Sequence, residues 1–90
     1  MKANFDKWIE CGYLDEQALR FDNPSFDNAI IGVDSEGKLV YSFDKMVIGF
    51  AEENNLDYIE ALEFVEYNTM RALPYFGDYA PIVIYDDIEV

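Results

Sequence analysis

The sequence predicts a small α+β fold: an antiparallel or mixed three-stranded sheet, made of a hairpin plus a C-terminal strand, packed with two to four helices. Three observations carry that expectation. Two β-rich runs, Ala29-Ile30-Ile31-Gly32-Val33 and Lys38-Leu39-Val40-Tyr41, flank the turn formers Asp34-Ser35-Glu36-Gly37. Two stretches of helical spacing follow, each opened by a residue that can cap a helix. Pro81-Ile82-Val83-Ile84-Tyr85 then reads as a last strand before an acidic tail. The simplest packing sets the last strand beside the hairpin and the helices on one face. Which edge of the hairpin it joins is left open by the sequence.

Taken in order, Phe5, Trp8 and Ile9 fall at helical spacing, and Gly12 is a stop. Asp15 is placed to cap a second short helical turn through Ala18 and Leu19. Asp22-Asn23-Pro24-Ser25 breaks the chain, because proline lacks an N–H and Asx residues favour turns. It divides an N-terminal helical arm, residues 1–22, from residues 26–90 within one small acidic domain. Gly37 is the hairpin residue that takes positive φ cheaply.

Ser42 reads as an N-cap, with Asp44 in the first turn where the helix dipole favours negative charge. Phe43, Met46, Val47, Phe50 and Ala51 share one face of that helix, which should end near Asn54-Asn55. Asp57 caps the next helix, and Glu60 three residues on completes a capping box. Tyr58, Ala61, Leu62, Val65, Ala72 and Leu73 share its inner face. Ile59, Phe64, Tyr67 and Met70 fall outside that face, so the helix is central to its domain or half of an interface. Arg71 suits the C-terminal end of the dipole, and Pro74 should end the helix.

The composition excludes whole classes of function. Hydrophobic residues make up 51% of the 90, aromatics 17%, so a core forms without disulfides. Nineteen acids against six bases leave a net charge of −13. Direct binding to nucleic acid or to an anionic membrane surface needs cationic groups, and both are excluded. There is no histidine and one cysteine, so the commonest acid–base catalyst and the usual zinc and disulfide chemistries are missing. The start of the chain has no apolar stretch long enough for a signal peptide, and no window approaches a membrane span. A soluble cytoplasmic protein is the expectation, in keeping with an unpartnered Cys11.

No catalytic set emerges. Cys11 lacks a histidine to activate it and is expected to pack as a small hydrophobe. Ser25, Ser35 and Ser42 occupy turn or cap positions. No phosphate-cradling glycine motif is present, and the stretches around Asp27 and Asp34 do not fit an EF-hand loop. Glu52-Glu53 and Asp86-Asp87 with Glu89 are candidates for a hard cation, but adjacent acids are common in so acidic a chain. No cofactor and no metal are expected.

The distribution of charge says more. Residues 46–90 hold ten acids and a single base, Arg71. Glu60, Glu63 and Glu66 climb their helix by about 4.5 Å per step. Such a row resembles a line of phosphates and would draw a basic groove at low salt. Tyr67, Tyr75, Phe76 and Tyr79 are candidate aromatic anchors. The bland alternative is a solvated acidic face with the aromatics buried.

Glu66-Tyr67-Asn68-Thr69, Arg71-Ala72-Leu73-Pro74-Tyr75, Gly77 and Ala80-Pro81-Ile82 resemble small uncharacterised proteins of phages and mobile elements of Gram-positive bacteria. The hairpin from Ala29 to Tyr41 followed by Asp44-Lys45-Met46 is similar to the same group. The resemblance covers about half of the chain. It implies a phage-encoded cytoplasmic protein that binds and blocks a host factor, and it transfers no site residue. Physically, Arg71 in this segment is expected to bond a loop carbonyl or a carboxylate. Asn68 and Thr69 are expected to bond the loop that follows.

The functional expectation is a non-enzymatic inhibitor of the anti-CRISPR or anti-restriction kind. It would occupy the groove of a basic nucleic-acid-handling host protein as a DNA mimic. Glu60, Glu63, Glu66, Asp86 and Asp87 would supply charge, with Tyr67 and Tyr75 as anchors. The competing expectations are a homo-oligomeric structural or accessory protein of a phage or mobile element, such as a homodimer through Ile59, Phe64 and Met70, and a small metal-dependent enzyme using the tail acids.

Overall fold

The computed structural model describes residues 5–22 and 26–85. Asn23-Pro24-Ser25, most of the expected break, lie outside the described residues. So do Asp86, Asp87 and Glu89.

Helix α1 spans Phe5–Glu10. It closes at left-handed Gly12 (φ 81°), with Gly12 N donating to the Ile9 carbonyl and Tyr13 N to the Trp8 carbonyl. That pair of bonds is a Schellman ending, which favours glycine at this position. The expected helical turn after Asp15 is instead a tight turn. The Asp15 Oδ1 accepts the Gln17 N–H at 2.8 Å, and Ala18 N donates to the Asp15 carbonyl. An Asx turn of this kind satisfies the backbone without helix.

Strands β1 (Ile30–Val33) and β2 (Leu39–Ser42) form the expected antiparallel hairpin. Ala29 belongs to a short 3-10 turn before β1. In the connection the Asp34 Oδ1 accepts N–H groups from Glu36 (3.0 Å) and Lys38 (2.8 Å), and Gly37 N donates to the Asp34 carbonyl. Gly37 is left-handed at φ 86°. Strand β3 (Ile82–Ile84) lies parallel to β2 on its other side, giving the order β1-β2-β3. A parallel neighbour requires a long crossover, and the whole helical stretch between Ser42 and Ile82 supplies it.

Strand β2 runs directly into helix α2 (Phe43–Asn54). Ser42 ends the one and caps the other, its Oγ accepting the Lys45 N–H at 3.2 Å. Helix α2 stops at left-handed Asn55, where Leu56 N donates to the Ala51 carbonyl. Helix α3 (Tyr58–Phe64) opens with the expected capping box: Asp57 Oδ1 accepts from Glu60 N (2.8 Å), and Glu60 Oε1 from Asp57 N (3.3 Å). The Tyr58 hydroxyl donates to Asp44 Oδ1 at 3.0 Å and ties α3 to α2.

Beyond Phe64 the helix widens into a π turn, Val65–Met70. Ala61, Val65 and Thr69 are buried in succession at four-residue spacing. Asn68 does not reach the following loop; its Nδ2 donates back to the Phe64 carbonyl at 3.1 Å. Pro74 does not end the helical path either. A 3-10 segment, Leu73–Tyr79, begins around it and is broken at Gly77 (φ 86°, ψ −154°). Proline is tolerated in a first helical turn, where its missing N–H would have had no partner.

The core joins all these parts. Leu39, Tyr41, Met46, Val47, Ala61 and Val65 are excluded from solvent, and the arm contributes Leu14 and Phe21. Cross-strand register sets Ile30, Tyr41 and Val83 side by side. Three arm N–H groups strap it down: Asp15 to the Gly37 carbonyl (3.0 Å), Leu19 to the Tyr79 carbonyl (3.0 Å) and Phe21 to the Tyr41 hydroxyl (3.2 Å). The Phe21 ring meets Tyr41, Phe26 and Phe76 edge-on, at centroid distances of 4.8, 5.7 and 5.7 Å. Phe76, expected as an exposed anchor, is therefore packed against the core.

Candidate functional site

Helix α3 and the π turn position the candidate carboxylates. Glu60 is exposed but engaged in the capping box. Glu63 and Glu66, exposed one turn apart, line an open depression of ≈ 430 Å³ together with Leu62, Tyr67 and Arg71. Tyr67 is 66% exposed, and the Arg71 guanidinium lies 4.8 Å from its ring centroid. Arg71 thus uses the face of an aromatic ring, where a loop carbonyl or a carboxylate was expected.

The other predicted residues fall elsewhere. Tyr75, on the 3-10 segment, is the most exposed large hydrophobic side chain described, at 88%, and does not line the depression. Asp86 and Asp87 lie outside the described residues. Their neighbour Tyr85 is placed: its ring packs on Phe43 at 4.7 Å. Burial, and then the negative field of Glu66, raise its hydroxyl above the usual tyrosine value. Of the expected dimer residues, Ile59 is 59% exposed, Phe64 stacks on Phe50 at 4.3 Å, and Met70 packs against the core.

Leu62 at the depression and the stacking of Arg71 on Tyr67 both fall outside the sequence expectation, which gives Arg71 a loop carbonyl or a carboxylate. The four-residue spacing of Tyr67 and Arg71 was the available signal, since such pairs meet on one helix face. Leu62 was assigned wholly to the inner face, yet it is half-buried and reaches the depression.

Cys11 is exposed, against the expectation that it packs as a hydrophobe. It falls in the turn that closes α1, where side chains leave the core. Ser35 sits exposed in the hairpin turn, and Ser42 is buried as a cap. Among the described residues no three histidine, cysteine or acidic side chains converge as a metal site would require. No described helix is long and apolar enough to cross a membrane.

Comparison of the chain with protein-family models, with curated proteins and with solved structures finds no match. The chemistry of the site rests on its own geometry. Glu63 and Glu66 outnumber Arg71 in the depression, so its charge favours cations over anions, and the Arg71 guanidinium already covers the Tyr67 face.

Proposed function

We propose that this chain is a phage-encoded, non-enzymatic inhibitor that acts in the host cytoplasm. It occupies the nucleic-acid groove of a basic host protein, as a DNA mimic of the anti-CRISPR or anti-restriction kind. The observation that carries the reading is the pairing of a net charge of −13 with exposed Glu63 and Glu66 around Tyr67. Lysines and arginines that hold phosphates in such a groove would meet carboxylates instead, with Tyr67 giving the apolar contact that charge alone lacks. Asp86 and Asp87 are assigned to the same partner on their charge. Glu60 belongs to the outer end of the acidic surface, and Tyr75 to a second contact. A homodimer through Ile59, Phe64 and Met70 is a weaker reading, because Phe64 and Met70 already pack within the chain.

Reversal of the charges tests the site. Glu60 is best left intact, since losing its capping-box contact would unsettle α3 itself. The double variant Glu63→Lys/Glu66→Lys is expected to fold and to bind the basic partner about 10–100-fold more weakly at low salt. Calorimetry against the captured partner reads the change, with circular dichroism to establish the fold. Unchanged affinity in the folded variant would remove Glu63 and Glu66 from the interface.

A further inference from the structure

A second concavity lies on the other side of the same helix. It is an open cleft of ≈ 510 Å³ between the end of the N-terminal arm, the π turn and the 3-10 segment. It shares no lining residue with the depression at Glu63 and Glu66. We propose that this cleft binds an organic cation with an apolar body, a primary ammonium or guanidinium carried on an aryl or alkyl stem.

Its volume falls within the range of small-ligand sites. Phe21, Phe64 and Phe76 supply the apolar walls. Their rings are held in place: Phe21 and Phe76 meet edge-on at 5.7 Å, and Phe64 stacks on Phe50 with an interplanar angle of 13°. Ala72 contributes only a methyl group to the lining. The polar lining consists of Asp22, Asn68 and Thr69. One amide hydrogen of Asn68 is already committed to the Phe64 carbonyl. The lining therefore has one full negative charge, and neither lysine nor arginine contributes to it. An anion would face Asp22 without compensation, and a neutral apolar molecule would leave that carboxylate unused. A cation on an apolar stem satisfies both needs, with Asp22 to balance its charge and the aromatic rings to cover its stem. The net charge of −13 raises the local concentration of such cations.

A free amine and a side chain of a polypeptide both carry such a cation, and a titration of the full chain separates them. Amide resonances in ¹⁵N spectra are followed while phenethylamine, its neutral analogue 2-phenylethanol, phenylacetate or the peptide Gly-Gly-Phe-Lys-Gly-Gly is added. Phenethylamine is expected to shift Phe21, Asp22, Thr69 and Ala72 saturably, at least tenfold more tightly than the alcohol, with no saturable shift from phenylacetate. Asp22→Asn should weaken the amine about tenfold and leave the alcohol unchanged. Ala72→Phe should fill the cleft and abolish both; should that variant fail to fold, the exposed Asp22 substitution still decides the matter. Tighter binding of the peptide assigns the natural ligand to a polypeptide, and tighter binding of the free amine to a small molecule; either upholds the site. Equal affinity for amine and alcohol overturns it. So do shifts that spread over Glu52, Glu53 and Glu63 and spare the cleft, since those report mere screening of exposed carboxylates.

Discussion

Replacing Gly37 by alanine is expected to destabilise the fold by about 2–4 kcal/mol, more than any other single methyl addition to the hairpin. Two causes add. At φ 86° a side chain meets its own backbone, which costs about 1–2 kcal/mol. The new Cβ would also stand 2.9 Å from Asp15 N and 3.1 Å from Asp15 Cβ, so the arm must move. That movement breaks the bond from Asp15 N to the Gly37 carbonyl and loosens Leu14 beside it. Gly12→Ala is the internal control, since Gly12 is also left-handed (φ 81°) but has nothing within 4 Å of a built Cβ. Urea unfolding of the two variants isolates the collision. Equal losses would show that the arm does not press on the hairpin turn.

The second large effect falls on Tyr41. Its ring is buried, its hydroxyl accepts the Phe21 N–H, and burial pushes its pKa up to about 12. Tyr41→Phe leaves a buried N–H without its partner and is expected to cost about 1–3 kcal/mol. The raised pKa adds a signature in pH. Below pH 10 the phenol is protonated in folded and unfolded chains alike, and its contribution is fully present. Between pH 10 and about 12 only the unfolded chain releases the proton, so stability falls as pH rises. The loss is on the order of 2–3 kcal/mol across that window. Denaturant midpoints from pH 8 to 11 should decline in the parent and stay flatter in Tyr41→Phe. Parallel curves would mean that Tyr41 does not titrate differently in the folded state.

What could be read in advance was what short-range chemistry decides. The hairpin followed from turn formers between two β-rich runs. Both helix starts followed from Ser42, Asp57 and Glu60, whose side chains bond backbone three residues away. The docking of the arm was not legible, because its straps are backbone N–H groups of Asp15, Leu19 and Phe21, which almost any residue supplies. The π turn was hidden for a related reason. A helical wheel assumes one period throughout, and an expanded turn rotates every residue after Val65. Thr69 joins the buried line of Ala61 and Val65 at ordinary four-residue spacing, a place that its polarity argued against. The parallel pairing of β3 with β2 depends on how that crossover packs, and local sequence does not specify this.

The candidate site was legible to the extent that it lies on one helix. Glu63, Glu66 and Tyr67 come together as their spacing implies, whereas Tyr75 is carried away by the 3-10 segment. Arg71 within the acidic surface has a consequence for the proposed mimicry. Its guanidinium already occupies the Tyr67 ring in the way an incoming arginine would, so a partner must displace it or stack beside it.

Capture from a lysate followed by competition tests the proposed mimicry. The tagged chain is exposed to a Gram-positive lysate, washed at low and at high salt, and challenged with duplex DNA or RNA, and retained proteins are identified by mass spectrometry. The predicted result is a basic nucleic-acid-handling protein that is held at low salt, lost at high salt and released by the nucleic acid. Retained partners that nucleic acid does not displace, or retention of the chain alone, would contradict the proposal and leave the acidic surface a solvated one.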